Sequence, residues 1–85
     1  MDIRAQFEQA VADSKTLSEK PDNVTLLKLY SLFKQGSIGD VNTDPPANPF
    51  DFIAKAKYDA WAARKGTTQE EAMQAYIKLI QELKG

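Results

Sequence analysis

A proline-rich stretch near the middle of the chain most limits the folds that are open to it. Residues 37–49 read SIGDVNTDPPANP and contain three of the four prolines. Proline cannot donate a hydrogen bond to a strand ladder, so this polar stretch does not favour a strand. A connection of this length is uncommon in a chain of 85 residues, and it is often functional or a packed crossover. We therefore expect a long crossover between the elements on either side.

Two helical segments precede the crossover. One face of the first segment carries apolar and small residues at helical spacing, namely Ile3, Phe7, Ala10, Val11 and Ser14. The Lys20–Pro21 pair breaks this pattern, and Asp22 or Asn23 can cap the second segment. That segment runs from about residue 24 to residue 35. Gly36 follows it, and we expect this glycine to take the left-handed conformation that ends many helices.

Two more helical segments follow the crossover. The third covers roughly residues 51–65 and ends at Gly66. Either Thr67 or Thr68 can cap the fourth, because Glu70 and Glu71 lie three residues further on, at capping-box spacing. The fourth segment then shows a clear apolar stripe of Met73, Tyr76, Ile77, Ile80 and Leu83. With no strand pattern present, the sequence predicts an all-α four-helix bundle with a long crossover between helices 2 and 3.

Composition removes most of the chemistry that a small enzyme would need. The chain has no cysteine and no histidine, so it lacks a thiol nucleophile, an imidazole base and the usual zinc ligands. Asp40, Asn42 and Asp44 alternate as in a calcium loop, but Asp51 stands where such a loop needs glutamate. We therefore expect no enzyme activity and no metal site. The net charge of −1 also gives no basic surplus for a nucleic-acid partner.

The N-terminal residues indicate where the protein works. The first four residues, MDIR, lack the basic and apolar regions of a signal peptide. The most apolar stretch, residues 24–33, is interrupted by Lys28 and is far shorter than the roughly 20 residues that span a bilayer. These features predict a cytoplasmic protein.

The second helix has more apolar surface than one core contact needs. Large apolar and aromatic residues surround nearly its whole circumference, at Leu26, Leu27, Leu29, Tyr30, Leu32 and Phe33. A helix that faces a core on one side needs only a stripe about 100° wide. Two interpretations remain open, and both can hold for different faces. The helix is packed by several neighbours, or part of its surface lines an apolar cavity.

Lysines close to aromatic residues suggest an anion site. Tyr30 and Lys34 are four residues apart and share a helical face. Lys57 precedes Tyr58 in the third segment, and Lys15 ends the first. Cations beside aromatic rings can hold phosphates and a stacked base. The alternative is that the lysines are solvated surface charges and the aromatic residues belong to the core.

Five blocks in order resemble the acyl-CoA-binding protein family. They are LYSLFKQ at residues 29–35, GDVN at 39–42, KAKYDAW at 55–61, KGT at 65–67 and AMQAYI at 72–77. Phe7 and the Lys20–Pro21 break also match the family. The resemblance covers essentially the whole chain, so residues 1–85 are interpreted as a single acyl-CoA-binding domain.

This resemblance implies a fold and a function. Members of the family fold as an up-down-down-up four-helix bundle and hold long-chain acyl-CoA esters without catalysis. Positions that contact the coenzyme A head group in the family correspond to Lys15, Tyr30, Lys34, Lys57 and Tyr76. Positions near the acyl chain or the adenine correspond to Val11, Leu26, Leu27, Phe33 and Tyr58. Two of these positions depart from the family. Phe33 stands where the family usually has a tyrosine, and Tyr58 stands where it usually has a tryptophan.

The functional expectations follow from the resemblance. We expect non-catalytic binding, buffering and intracellular transport of long-chain acyl-CoA, with no cofactor and with a monomeric protein. Expected partners are enzymes that use acyl-CoA and, transiently, membrane surfaces. The alternative function is a helical protein-interaction module that has kept the fold and lost the ligand, since a broad apolar helix also suits a partner helix.

Overall fold

Four helices make up the regular structure of the computed structural model, which describes residues 2–85. They are α1 (Ile3–Ser14), α2 (Asn23–Ser37), α3 (Phe52–Ala62) and α4 (Gln69–Lys84). No strand occurs within residues 2–85, which confirms the all-α prediction. None of the four helices combines the length and the apolar character that crossing a membrane requires.

Each helix begins at a side chain that caps it. Asp2, Asp22 and Asp51 accept hydrogen bonds from backbone amides in the first turns of α1, α2 and α3. Thr68 caps α4 and forms a complete capping box with Glu71. The sequence offered two possible capping residues for α2 and two for α4. The structure selects Asp22 and Thr68, because their oxygens reach the third amide of the helix that follows.

Ring and cation contacts show that α2 and α3 run in the same direction. Lys57 of α3 lies over the ring of Tyr30, with the ammonium nitrogen 5.5 Å from the ring centroid. One turn further along both helices, Lys34 of α2 lies 5.5 Å from the ring of Trp61. Because both positions advance together, the helices are parallel. A parallel pair needs a long connection between its members, which residues 38–51 provide.

The fourth helix runs against α2 and alongside α1. Towards the C-terminal end of α2, Gly36 faces Met73, and Phe33 faces Tyr76 at 6.5 Å between ring centroids. The positions rise on one helix as they fall on the other, so α2 and α4 are antiparallel. In α1, Phe7 contacts Tyr76 edge-on, and later Asp13 pairs with Lys84 at 3.2 Å, so α1 and α4 are parallel. The order is up-down-down-up, as expected.

The core is supplied by three of the helices. Its buried residues come from α1, α2 and α4, and they are Phe7, Ala10, Leu29, Leu32, Ala72, Met73, Tyr76 and Ile80. The third helix contributes one buried residue, Trp61, outside this cluster. It packs against α2. Most of its surface is therefore left for other contacts.

Gly36 does not end α2, and the prediction of a left-handed cap there is wrong. The helix continues through Gly36 to Ser37, and the positive φ of 105° belongs to Gly39. A Cβ atom at position 36 would lie 3.2 Å from Cγ of Met73 and 3.3 Å from Cζ of Phe7. Gly36 is thus a point where side chains of α1 and α4 approach α2 closely. Local sequence rules do not register such a tertiary contact.

The third helix is shorter than the sequence predicts. It ends at Ala62 rather than near Lys65, and turn hydrogen bonds from Arg64 to the Trp61 carbonyl and from Lys65 to the Ala62 carbonyl follow. Gly66 then takes a φ of 95°. The chain reverses here, as the glycine indicated, before Thr68 starts α4.

Gln35 ties the crossover to the turn between α3 and α4. Its buried side-chain amide donates to the carboxylate of Asp40 at 2.8 Å and to the carbonyl of Thr67 at 2.7 Å. The Asp40 carboxylate also accepts the amide of Gly66 at 3.0 Å. Three segments that are distant in sequence are therefore fastened at one end of the α2–α3 pair.

These bonds change the acidity of Asp40. The backbone amide of Gly66, followed by the side chain of Gln35 and the charge of Lys65, lowers the pKa of Asp40 below its ordinary value. A carboxyl group whose pKa is lower in the folded protein stabilises the fold above its unfolded pKa. That contribution is lost as the pH falls through the folded pKa.

Replacing Gly36 by a larger residue should destabilise the bundle. Gly36→Val places methyl groups against Phe7 and Met73, and we expect a loss of about 2 kcal/mol in the free energy of unfolding. Urea denaturation followed by circular dichroism measures it. Valine favours a helix slightly more than glycine does, so helix propensity alone would not destabilise this variant. Lys28→Val, at an exposed position of the same helix, introduces valine without a packing clash and should cost about 0.5 kcal/mol. Equal losses in the two variants would contradict the close approach at Gly36.

Removing the charge of Asp40 should reduce stability in a pH-dependent way. Asp40→Asn is expected to lower the free energy of unfolding at pH 7, with a difference from the wild type that shrinks as the pH falls below about 4. Urea titrations at a series of pH values measure this difference. Asp44→Asn is the control, because the Asp44 carboxylate makes no hydrogen bond within residues 2–85. A difference in the free energy of unfolding that stays constant between pH 7 and pH 3 would show that the charge of Asp40 does not stabilise the fold.

Candidate functional site

Tyr30 lies between two lysines. The ammonium nitrogen of Lys34 is 5.8 Å from its ring centroid, and that of Lys57 is 5.5 Å from it. Lys34 reaches the ring because it follows Tyr30 by one helical turn, and Lys57 reaches it because α3 lies parallel to α2. Both distances fall within the range of cation–π attraction.

Neither of these lysines is neutralised by a carboxylate. Within the part of the chain that the structure describes, the one ion pair joins Lys84 to Asp13, on α4 and α1. Asp13 has a lowered pKa because Gln9 and Lys84 donate hydrogen bonds to it. Lys34 and Lys57 thus present two positive charges beside one aromatic ring. Such an arrangement favours a bound anion, with which each ammonium can form a charge-assisted hydrogen bond.

A central cleft opens beside these lysines. We use this name for a cleft of about 470 Å³ whose wall includes Val11, Leu26, Tyr30, Phe33, Lys57 and Tyr76. All six are residues that the sequence selected, and they come from all four helices. Lys34 does not form part of this wall, but it borders the cleft through the ring of Tyr30.

The rings of Phe33 and Tyr76 form the floor of the central cleft and pack on Phe7 in the core. Phe33 stacks on Phe7 with 6.0 Å between centroids, and Tyr76 meets Phe7 at 5.2 Å and 75°. Tyr76 is only 4% exposed. Its hydroxyl group nevertheless makes no hydrogen bond to any residue within 2–85. Within residues 2–85 the buried side-chain atom without a partner is Oε1 of Gln35, and the hydroxyl oxygen of Tyr76 is not one of these buried atoms. The Tyr76 hydroxyl is therefore accessible, and a ligand in the cleft can bond to it.

An apolar depression continues from the central cleft. This name refers to a space of about 360 Å³ between the first turns of α2 and α3, with Leu26, Leu27, Phe52, Ile53 and Ala56 in its wall. Leu26 and Lys57 line both spaces. The cationic and aromatic surface is therefore adjacent to an apolar surface of comparable size.

Lys15 lies on the other side of the central cleft. It lines a third space, of about 390 Å³, beside α1, together with Val11 and Phe33. Both of these residues also line the central cleft. Arg4 and Glu8 border the same space, so the local charge around Lys15 is mixed. Lys15 is placed at the edge of the site, across the floor from Lys57.

Tyr58 is not brought together with the other predicted residues. It lines a separate space of about 410 Å³ beside the proline-rich crossover. Its hydroxyl group donates to the carbonyl of Thr43 at 3.1 Å. Its place in α3, one residue after Lys57, turns it away from α2 and towards the crossover. In the structure it fixes the loop and does not line the central cleft or the apolar depression.

Sequence reasoning missed several residues of the site. Phe52 and Ile53 line the apolar depression, and the ring of Trp61 is a second aromatic contact of the Lys34 ammonium, at 5.5 Å. The sequence contained a signal for Phe52 and Ile53, which are two bulky apolar residues directly after the Asp51 cap. The first turn of a helix seldom buries two such neighbours in the core, so one of them was free for a binding surface. Trp61 follows Lys57 by one turn, which was a second signal. Trp61 is held in place by a hydrogen bond from its ring N–H to the carbonyl of Gly39 at 2.9 Å.

The arrangement suits an amphipathic anion. Free ammonium groups and hydroxyl groups at the central cleft can hold phosphates, aromatic rings can stack on a base, and the apolar depression can take a hydrocarbon chain. Among residues 2–85 no group of acidic side chains is placed to hold a metal ion.

Comparison with known proteins agrees with this chemistry. A family model described as Acyl CoA binding protein matches residues 4–80. Acyl-CoA-binding protein homolog 1 of Caenorhabditis elegans is 49% identical over 77 residues, which cover 91% of this chain and 88% of that protein. A putative acyl-CoA-binding protein from the genus Hypsibius is 45% identical over 83 residues, covering 98% of this chain and 92% of the relative.

Solved structures show the same fold. The crystal structure of acyl-CoA-binding protein 2 of Oryza sativa superimposes with a TM-score of 0.90 at 36% identity, over 96% of this chain and 90% of that one. The crystal structure of ACBP from Moniliophthora perniciosa superimposes with a TM-score of 0.87 at 38% identity, over 98% and 80% of the two chains. With a family match across most of its length, the chain belongs to the acyl-CoA-binding protein family.

Proposed function

We propose that this protein binds long-chain fatty acyl-CoA esters without acting on them, and that it buffers and carries them in the cytoplasm. Proteins of its family are non-catalytic acyl-CoA-binding proteins. The observation that carries the proposal is Tyr30 between Lys34 and Lys57, two unpaired cations at a cleft that continues into an apolar depression. The whole chain would act as one acyl-CoA-binding domain.

The head group would be held by the polar part of the site. Lys34 and Lys57 would meet the 3′-phosphate or nearby phosphates of coenzyme A through charge-assisted hydrogen bonds. The hydroxyl groups of Tyr30 and Tyr76 would reach the ribose-phosphate and adenine region. Lys15, across the floor of the central cleft, would hold a further part of the head group.

The acyl chain would lie on the apolar part of the site. Leu26 and Leu27 would contact it between α2 and α3, while Val11 would contact the chain or the adenine at the opposite wall of the cleft. Each buried methylene contributes about 0.8 kcal/mol, so a chain of about sixteen carbons supplies roughly 10 kcal/mol before ordering costs. The phosphates then select coenzyme A, and the hydrocarbon selects a long tail.

Phe33 would act through its ring alone. It stacks on Phe7 and lines the central cleft, but it has no hydroxyl group with which to reach a phosphate. Its contribution is therefore a flat apolar wall for the adenine or the first part of the acyl chain. Tyr58 would act indirectly, by holding the crossover through Thr43.

The alternative function, a protein-interaction module without ligand, is not favoured. Such a module would have no use for two unpaired lysines around Tyr30 or for a hydroxyl group of Tyr76 that is accessible at the central cleft. We further infer a monomeric carrier that needs no cofactor and that passes its cargo to enzymes which use acyl-CoA. Transient contact with membrane surfaces, where such cargo is released or collected, fits the same role.

Head-group binding can be tested with two ligands. Isothermal titration of the wild type with palmitoyl-CoA should show one site with a dissociation constant near or below micromolar. Lys34→Ala and Lys57→Ala should each weaken palmitoyl-CoA and free coenzyme A together, by at least about tenfold, because each removes a charge-assisted hydrogen bond.

A matched variant separates position from net charge. Lys78→Ala removes the same charge from an exposed position on α4 and should bind both ligands as the wild type does. An absence of heat with micromolar wild-type protein would refute the proposed function. Wild-type affinity in both cleft variants would refute the placement of the phosphates while leaving acyl-CoA binding intact.

Acyl-chain binding can be tested separately at Leu27. Leu27→Asn puts a polar group in the apolar depression and should weaken palmitoyl-CoA by about tenfold, because the hydrocarbon loses an apolar contact. Free coenzyme A should bind unchanged, and this comparison within one variant is the control. The ratio of the two dissociation constants is the measurement. An equal loss for both ligands would mean that Leu27 contacts the head group or supports the fold.

A further inference from the structure

Arg64 donates a hydrogen bond to Ser31 across the junction of α2 and α3. Nε of Arg64 lies 3.0 Å from Oγ of Ser31, which precedes it by 33 positions in the chain. Ser31 is only 1% exposed, and its hydroxyl group in turn donates to the carbonyl of Lys28 at 2.9 Å. The guanidinium group therefore supplies the second hydrogen bond of a buried hydroxyl group on α2. Arg64 itself directly follows the C-terminal end of α3.

Neither partner of this bond belongs to the ligand site. The walls of the central cleft and of the apolar depression do not include Ser31 or Arg64. Arg64 also forms no ion pair within the described part of the chain, where the one such pair joins Asp13 and Lys84. Its side chain is nevertheless half-buried. Because burying part of a charged group is costly, the bond to Ser31 is the feature that accounts for its position.

The placement of Lys57 depends on how α3 is held against α2. Lys57 lies on α3, and its ammonium nitrogen is 5.5 Å from the ring centroid of Tyr30 on α2. Among the helices α3 packs against α2 alone, and it adds no residue to the buried cluster. Within residues 2–85, two hydrogen bonds join α2 to residues 52–67, one made by Arg64 and one by Gln35. The bond of Arg64 reaches the turn that carries Tyr30, because Ser31 is the next residue.

The other attachments of α3 fix a different point. Gln35, Asp40 and Trp61 hold the C-terminal end of α3 near the C-terminal end of α2. A helix that is attached at one point can still swing about it. The bond from Arg64 to Ser31 adds a second point about one turn away, because Ser31 precedes Gln35 by four residues. Two points of attachment fix the direction of α3 as well as its end.

We propose that Arg64 is a positioning residue, whose bond to Ser31 sets the direction of α3 and thereby holds the Lys57 ammonium group over Tyr30. There it would meet the phosphates of the head group. This inference rests on the proposed function and adds to it a residue that touches no ligand. Arg64 acts on affinity through Lys57, so its substitution should matter only while Lys57 is present.

Calorimetric titration with palmitoyl-CoA tests the coupling of Arg64 to Lys57. Arg64→Met keeps an unbranched side chain but removes the donor, and it should weaken binding about fivefold. Ser31→Ala removes the acceptor and should give about the same loss, and the double variant should lose no more than either single one. In the Lys57→Ala background, Arg64→Met should leave the affinity unchanged. Lys65→Met removes the same charge from the next, exposed position and should bind as the wild type does.

Nuclear magnetic resonance of the ligand-free protein tests the positioning itself. Protons that lie over an aromatic ring resonate upfield, so the Tyr30 ring should shift the ε-methylene protons of Lys57 in the wild type. Arg64→Met and Ser31→Ala should both move these resonances towards those of an ordinary exposed lysine. Lys65→Met should leave them in place. Urea denaturation of each variant checks that the bundle remains folded under the conditions of both measurements.

The outcomes separate positioning from other roles. A fivefold loss for Arg64→Met in the Lys57→Ala background would overturn the proposal, because Arg64 would then act on the fold or directly on the ligand. Wild-type affinity or unchanged Lys57 resonances in Arg64→Met would also overturn it, as would additive losses in the double variant with Ser31→Ala. An absence of heat from palmitoyl-CoA, with Lys57 resonances that still respond to Arg64→Met, would refute the proposed function and leave the positioning intact.

Discussion

The close approach of α2 to α1 and α4 at Gly36 is the constraint on which the rest of the structure depends. With no side chain there, Phe7 and Met73 come within van der Waals reach of the α2 backbone. Phe7, Phe33 and Tyr76 can then meet as one aromatic cluster, in which Phe7 and Tyr76 belong to the core and Phe33 and Tyr76 form the floor of the central cleft. A bulkier residue at position 36 would move α2 outward and would open the floor as well as the core. Fold and site therefore share a single packing arrangement.

The third helix is attached in a different way. It shares no residue with the buried cluster and packs against α2, where Trp61 and the bonds of Gln35, Asp40 and Gly66 fasten its C-terminal end. Among residues 2–85, the hydrogen bonds at its N-terminal end are local ones, made within residues 48–55. The tied end fixes the register that places Lys57 over Tyr30, while the other end keeps Phe52 and Ile53 exposed. A ligand can thus contact the apolar side of α3 without competing with the core.

Sequence reasoning recovered what is encoded locally and missed what depends on neighbours. The helix count, the crossover, the Asp22 and Thr68 caps and the apolar stripe of α4 follow from spacing and capping rules that act within a few residues. The meeting of Tyr30 with Lys34 follows from spacing in the same way. The role of Gly36, by contrast, depends on side chains of α1 and α4, and glycine at a helix end has a more common explanation. The position of Tyr58 depends on the path of the crossover, which no pattern in the chain specifies.

The two interpretations of the apolar second helix both hold, on different faces. Leu29 and Leu32 are buried in the core, at 7% and 1% exposure, as expected for a helix packed by several neighbours. Leu26 and Leu27 are only half-buried and line the apolar depression, as expected for a helix that also borders a binding surface. The arrangement of the helices explains why the two faces of α2 differ. Helices α1 and α4 cover one side of α2, and the C-terminal end of α3 covers part of the other side. The part of α2 that stays uncovered lies beside the N-terminal end of α3. A hydrocarbon placed there would complete the packing of α2, so ligand binding and stability of the bundle must be coupled.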